Sequence, residues 1–315
     1  MDFYQKVRFS DLDLFMEQTK SWNLDFRQLD GGSFSGTLIQ YGFSNAQIGI
    51  GSFNRKFDQR GGAPAGLITF ALLEPESPPI IWRGAEVDQN TVMVYRPGDE
   101  IDCSSEPGFK VITYSLSEQS FLEHCHLQGF QKLVKILQHQ RIFPISPLEK
   151  QKLFEIIART NRMVSRSSEE CEQETIKDVL GFRIAHRFME AIADSVHAEI
   201  KHPITDRSEK ALRLIEDSLT CASPPPTKVS ELCEMTGLSE RTLQYLFMWK
   251  YGITPMAYLK RSRLNTVRKM LRRADPGKLK ISDAANAAGF WHMGQFAADY
   301  QKLFGELPSQ TLSNA

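Results

Sequence analysis

The sequence predicts an α+β chain: an N-terminal β barrel or sandwich with packing helices, followed by an all-α domain in which two helix-turn-helix units are joined by a long helix. Three observations predict this. Short runs rich in Val, Ile, Thr and aromatic residues recur between Gly/Pro breaks over the first hundred residues. Apolar residues then recur at helical spacing. Finally, the last hundred residues hold an internal repeat with a strongly basic stretch between its copies.

The β reading rests on Thr37–Tyr41, Gln47–Phe53, Leu67–Leu73, Ile80–Trp82, Thr91–Tyr95 and Val111–Ser115, separated by breaks such as Gly31-Gly32, Gly61-Gly62, Pro78-Pro79, Pro97-Gly98 and Pro107-Gly108. From about Glu118 the texture becomes helical. Leu148, Leu153, Ile156 and Ile157 form one apolar face, and Ile176, Val179, Leu180, Ile184, Phe188 and Ile192 another. These helices can cap the β domain or pack between subunits. His202 to Asp206 reads as a linker, and the rest is helical. The expected domains are 1–120 (β-rich), 121–204 (helical extension and linker) and 205–315 (helical).

With 315 residues the chain exceeds one ordinary core, and 41% hydrophobic with 24% charged residues excludes a disordered or fibrous chain. The 38 basic and 38 acidic residues cancel, which at face value argues against nucleic acid. The distribution says otherwise. Residues 206–315 hold 16 basic against 11 acidic residues and the remainder 22 against 27. An acidic half can thus shield a basic one from non-specific DNA.

No run approaches the roughly 18 apolar residues of a membrane span, and Met1 to Lys6 has no basic-then-apolar leader, so a cytoplasmic protein without membrane attachment is expected. The five scattered cysteines, with no Cys-x-x-Cys pair, fit reduced thiols.

The repeat carries the function. Its first copy runs Leu232-Cys233, Gly237-Leu238, Leu243, Phe247, Gly252 and Pro255. The second runs Ala284-Ala285, Gly289-Phe290, Phe296, Tyr300, Gly305 and Pro308, with one extra residue between the turn glycine and the following helix. In each, a small residue (Cys233 or Ala285) lets two helices approach, and a glycine (Gly237 or Gly289) can take the positive φ of a turn. Ser239 suits an N-cap. Leu243, Leu246 and Phe247 are expected to point inward, with Arg241, Gln244, Tyr245 and Met248 outward. Between the copies, residues 260–280 carry nine basic residues against Asp275 alone. A helix from Pro255 to Arg273 is roughly 28 Å long, near the ~34 Å between successive major grooves on one face of DNA. Lys260, Arg261, Arg268, Lys269, Arg272 and Arg273 are therefore the expected phosphate contacts on double-stranded DNA.

These C-terminal residues resemble the DNA-binding domain of the AraC/XylS transcription regulators. The resemblance lies in Val229-Ser230-Glu231-Leu232-Cys233, Gly237 to Gln244, Tyr251-Gly252-Ile253-Thr254-Pro255, Tyr258-Leu259, Arg263-Leu264, Gly289-Phe290 through Phe296, and Phe304-Gly305-Glu306-Leu307-Pro308-Ser309. It implies a sequence-specific promoter-binding regulator, an activator that contacts RNA polymerase. The N-terminal domain is then cupin-like, responding to a small-molecule effector or self-associating as a homodimer. By position, the resemblance implies base reading by Arg241, Gln244 and Tyr245 from the first recognition helix and by His292, Met293 and Gln295 from the second. Arg263 matches a position read as structural as readily as phosphate-contacting. Ala297, Ala298 and Gly294 replace polar groups common in the family, so the first helix is expected to dominate direct readout.

The competing class is a cupin-like metabolic enzyme with an appended helical domain. A barrel metalloenzyme needs clustered His and carboxylate ligands, but the first histidine is His124, after the whole β region. His124-Cys125-His126 reads as an incidental helix-edge group. With no nucleophile elbow, phosphate loop or dinucleotide fingerprint, no catalytic residue, metal site or cofactor is assigned. Phe70, Trp82 and Tyr95 are the candidates to line an effector pocket.

Overall fold

The computed structural model describes residues 1–19, 22–43, 45–165, 170–195, 206–221, 225–274 and 279–314. Two antiparallel sheets face each other. The larger has seven strands in the order β1 (Phe3–Phe9), β3 (Gly36–Phe43), β4 (Ala46–Phe53), β11 (Phe109–Ser117), β6 (Leu67–Leu73), β9 (Thr91–Tyr95) and β12 (Ile142–Pro144). The smaller has five, in the order β2 (Asp25–Gln28), β5 (Phe57–Gly62), β10 (Glu100–Ser105), β7 (Ile80–Trp82) and β8 (Ala85–Val87). The apolar runs named from sequence fall on β3, β4, β6, β7, β9 and β11. The remaining strands, including β12 inside the expected helical extension, do not follow from them.

The inner faces of the sheets enclose an aromatic core in which Phe15, Phe26, Phe53 and Phe57 meet edge to face, with Phe34 edge to face on Phe57. Phe15 comes from α1 (Leu12–Gln18), whose N-cap Asp11 accepts from the Asp13 amide at 2.8 Å. The outer face of the seven-stranded sheet is covered by α2 (Glu118–Gln128), α3 (Gln131–Ile136), α4 (Pro147–Val164), α5 (Glu170–Asp178) and α6 (Ile184–Ser195), with a π-helical turn at Val179–Arg183. Leu153, Ile157, Ile176, Val179, Leu180, Ile184, Phe188 and Ile192 are buried there as their spacing predicts. Leu148 is an exception and stays exposed, because it sits in the first turn of α4 beyond the sheet-facing stripe. His124 is no helix-edge group either. It is buried against Phe130, Phe182 and His186, whose ring nitrogen lies 3.3 Å away.

Phe70 stacks on Tyr114 and Phe188 on this helix-covered side, so it faces away from the space between the sheets. Alternation along a strand requires this, since its neighbour Ala71 is the residue that points inward. Cys103, Cys125 and Cys233 are free thiols. The expected linker at 202–205, residues 222–224 and Lys278 lie outside the described residues, as do the side chains of Cys171 and Cys221. Among the described residues no helix is long and apolar enough to cross a membrane.

The helical part comprises α7 (Asp206–Cys221), α8 (Val229–Thr236), α9 (Glu240–Tyr251), α10 (Pro255–Arg273), α11 (Ile281–Ala287), α12 (Met293–Phe304) and α13 (Pro308–Ser313). It forms two small cores, one around Leu232, Leu243, Phe247, Tyr251 and Tyr258, the other around Leu264, Leu271, Ala284, Phe296 and Tyr300. The helix α10 runs through both, starting as its Thr-Pro entry dictates: Thr254 caps it by accepting from the Ala257 amide at 3.2 Å, and Pro255 occupies the first turn.

Candidate nucleic-acid interface

Each half of the repeat folds as a helix-turn-helix, α8–α9 and α11–α12. Both turns pass through a left-handed glycine, Gly237 at φ 65° and Gly289 at φ 79°. A side chain at either would strain the backbone. Ser239 caps α9, accepting from the Thr242 amide at 3.2 Å. That fixes the helix so that Leu243, Leu246 and Phe247 are buried while Arg241, Gln244, Tyr245 and Met248 are exposed. The Arg241 guanidinium lies 5.6 Å over the Tyr245 ring and donates to its hydroxyl at 3.3 Å. The two side chains therefore present one joined donor surface.

In the second unit, His292 is the N-cap residue of α12 and makes no side-chain capping bond, leaving its exposed ring available. Gln295 is exposed, and Met293 is half-buried against the second core. Trp291, which the sequence reading did not single out, is 73% exposed immediately before α12. The signal for it was the one-residue insertion in the second repeat, which lengthens this turn. Arg263 is structural here. It donates to the Gly289 carbonyl at 3.3 Å and stacks on Phe290 at 4.8 Å, bracing the second turn from α10.

The basic face of α10 is placed otherwise than expected. Arg268, Lys269 and Arg272 do not lie on a free face. Arg268 pairs with Asp13 and Glu306, Lys269 with Asp25, and Arg272 with Asp11 at 2.7 Å and Asp13 at 2.8 Å. Asp11, Asp13 and Asp25 belong to the β domain, so these cations meet carboxylates where the charge count alone suggested phosphates. Lys260 pairs with Asp299 at 2.6 Å, Arg261 is half-buried, and Arg273 is exposed.

This contact is part of a wide interface. Leu29, just after β2, is fully buried in the core of the first helix-turn-helix. Behind it lies a buried polar network. Arg27, Arg60 and Lys250 face Asp58, Asp102 and Glu216, with the Tyr251 and Tyr258 hydroxyls between them. The three cations and three anions offset one another, as charges taken out of water must. Tyr258 donates to Asp58 at 2.6 Å, and Lys250 to Asp102 at 2.9 Å and Glu216 at 3.0 Å. Burial pushes both tyrosines well above their ordinary range, so they remain neutral donors. For Asp102 burial works upward too, but Arg60 and Lys250 hold its carboxyl below the usual value. Glu216 is raised, with burial outweighing the same two cations.

Of the effector-pocket candidates, Tyr95 alone lines the cavity between the sheets. Trp82, paired with Cys103 on the inner face of the smaller sheet, is fully buried beside Tyr95 with ring centres 4.8 Å apart but does not line the cavity, and Phe70 is on the far side of the larger sheet.

Two helix-turn-helix units with exposed polar recognition helices, braced on one connecting helix, define a DNA-binding domain. Residues 232–314 match the family model described as a helix-turn-helix domain. The chain is 39% identical over 101 residues to the probable thc operon regulatory protein of Rhodococcus erythropolis, covering 32% of this chain and 30% of that one. It is 32% identical over 129 residues to the XylDLEGF operon transcriptional activator of Pseudomonas putida, covering 41% and 39%. Across 90% of its length it aligns with all of the crystal structure of the AraC-like transcriptional activator CuxR, at 16% identity and a TM-score of 0.43. The likeness to the two sequence relatives thus spans about a third of each. The C-terminal domain is of the AraC/XylS type.

Proposed function

We propose that the chain is a sequence-specific, DNA-binding regulator of transcription, acting as an activator whose N-terminal domain governs access to DNA. What carries the reading is the matched pair of recognition helices, α9 and α12, each entered through a left-handed glycine and each exposing polar side chains at its N-terminal end. Arg241, Gln244 and Tyr245 read bases from α9, with Gln295 and His292 contributing from α12 and Met293 supporting the turn. Arg273 and Arg261 reach phosphate directly. Arg268, Lys269 and Arg272 reach it after leaving Asp11, Asp13 and Asp25. A small-molecule effector or self-association as a homodimer shifts that exchange, and the promoter-bound protein contacts RNA polymerase in the cytoplasm. No catalytic role is assigned to any residue.

The test is a salt series of gel shifts on selected and random duplexes with the wild-type chain and an Asp11→Asn/Asp13→Asn variant. Each additional phosphate contact steepens the logarithmic salt dependence by roughly 0.9. The variant should bind random duplex more tightly and with a steeper slope, while the wild type prefers the selected sequence. Equal wild-type affinity for random and selected duplex would defeat the specific-regulator reading.

A further inference from the structure

The cavity between the two sheets opens along one row of the larger sheet whose central residues are small. Reading across β3, β4, β11, β6 and β9, the paired residues are Gln40, Gly49, Thr113, Ala71 and Met93, and all five line it. On the next inward row β4 contributes a second glycine, Gly51. Inward positions of a sandwich are ordinarily filled by interdigitating apolar side chains. Two glycines on one inward face leave a hole of about 100 Å³. That is the scale of one small ring, since an engineered cavity of about 150 Å³ holds benzene.

The chemistry of the walls is specific. Among the described residues, no Asp, Glu, Lys, Arg or His lines the cavity, so a charged ligand would lose its hydration without gaining a partner from them. Phe15, Phe26, Phe53, Phe109 and Tyr95 give aromatic surface. The Gln59 amide nitrogen is committed to Ser105 at 3.0 Å and to the Cys103 sulfur at 3.8 Å, so its carbonyl is the group it offers to a ligand donor. The Tyr95 hydroxyl donates to the Met93 sulfur at 3.8 Å and can exchange that weak bond for a better one.

The opposite wall is a single layer of strands with two different faces. Phe26, Gln59 and Cys103 pair across β2, β5 and β10 and face the cavity. One residue along in either direction, Asp25, Arg60 and Asp102 form the row on one side of it, and Arg27, Asp58 and Ser104 the row on the other. Alternation turns these rows to the other side. There Lys269, Tyr251, Glu216, Lys250, Tyr258 and Thr220 of the helical domain hold Asp25, Arg60, Asp102, Asp58 and Arg27. One strand thickness thus separates the cavity from the contacts that retain the DNA-binding domain.

The geometry points to a binding site for an uncharged, single-ring molecule bearing one hydroxyl or amide group, seated on Gly49 and Gly51 against Gln59 and Tyr95, whose occupancy is relayed to the DNA-binding domain through β2, β5 and β10. The relay rests on the DNA-binding reading above, and the ligand class does not.

The experiment uses the full chain with four probes at millimolar concentration: phenol, benzamide, benzoate and benzylamine. Phenol and benzamide should raise the thermal midpoint by several degrees, and the two ions should not. Gly51→Val supplies the control. A Cβ there meets nothing nearer than Val111 at 3.8 Å, whereas one at Gly49 would come within 2.7 Å of the Thr113 hydroxyl. The valine is accommodated by the strand, occupies the cavity, and should abolish the shifts without lowering the unliganded midpoint. Benzoate or benzylamine stabilising as well as phenol, no shift with either neutral probe, or shifts that survive Gly51→Val would overturn the assignment. Duplex affinity with and without phenol should differ about fivefold, and an unchanged affinity removes the relay. Failure to bind any duplex would strike the DNA-binding reading and leave the ligand shifts standing.

Discussion

Asn265, in the middle of α10, satisfies both free main-chain groups of Gln28. Its Oδ1 accepts from the Gln28 amide at 3.0 Å, and its Nδ2 donates to the Gln28 carbonyl at 3.1 Å. Gln28 ends β2, the edge strand of the five-stranded sheet. An edge strand presents unpaired backbone groups, and proteins cover or blunt them. Here one carboxamide stands where a residue of a neighbouring strand would be.

Asn265→Ala removes both bonds at a site where both residues are buried. An unsatisfied buried group costs about 1–3 kcal/mol. The expected result is a loss of roughly 2 kcal/mol in urea unfolding, accompanied by tighter binding to random duplex as the domain contact loosens. An unchanged urea midpoint would show that water replaces the carboxamide at no cost.

The same contact explains what could and could not be read from the sequence. The bounds of α10 were legible because Thr254 and Pro255 are strong local signals and its apolar period is long. Strands β2, β5 and β10 were not, because Asp25, Arg27, Asp58, Arg60 and Asp102 break up their apolar runs. A charged residue at alternate positions reads as a solvent-facing strand end, and nothing local says that another domain covers it. Likewise, a count of cations on α10 cannot tell a phosphate partner from Asp11 or Asp13. Phe70 failed for a related reason. Strand β6 is apolar on both faces, since helices cover one and the second sheet the other, so the pattern does not say which face meets the cavity.

Acid should loosen the domain contact through Asp102. Its folded-state carboxyl is held below the ordinary aspartate value by Arg60 and Lys250 against the effect of burial. The unfolded chain therefore binds the proton first as pH falls, and the stability Asp102 contributes is present above about pH 4 and lost below it. Glu216 has the opposite sign, because burial raises it, so the comparison must isolate Asp102. Asp102→Asn should be less stable than wild type at pH 7, with the gap in thermal midpoint narrowing towards pH 3. A gap that stays constant over this range would show that the Asp102 charge plays no part.

Trp291 should matter for DNA and not for folding. Its side chain is exposed beside the N-terminus of α12, the end that enters a groove in helix-turn-helix proteins. Exposed substitutions of this kind change stability by within about 0.5 kcal/mol. Trp291→Ala should leave the melting temperature unchanged and weaken binding to a selected duplex about tenfold, which is about 1.4 kcal/mol. Equal affinity for wild type and variant would remove the indole from the interface.

The two recognition helices should contribute unequally to sequence choice. Arg241 is a bidentate donor suited to guanine, and Gln244 one suited to adenine, each pairing giving about 1–3 kcal/mol of discrimination. Both stand exposed on α9, and Tyr245 steadies Arg241 from beneath. On α12 the exposed positions include Gly294 and Ala298, which offer no side-chain hydrogen bond. Gln295 and His292 are then left with little polar support. Alanine at Arg241 or Gln244 should therefore relax the preferred base at one position by about tenfold or more in a selection experiment. Alanine at Gln295 or His292 should lower affinity more evenly across sequences. If the α12 substitutions relax sequence preference more than those on α9, direct readout lies in the second unit and the asymmetry argued from Gly294 and Ala298 is wrong.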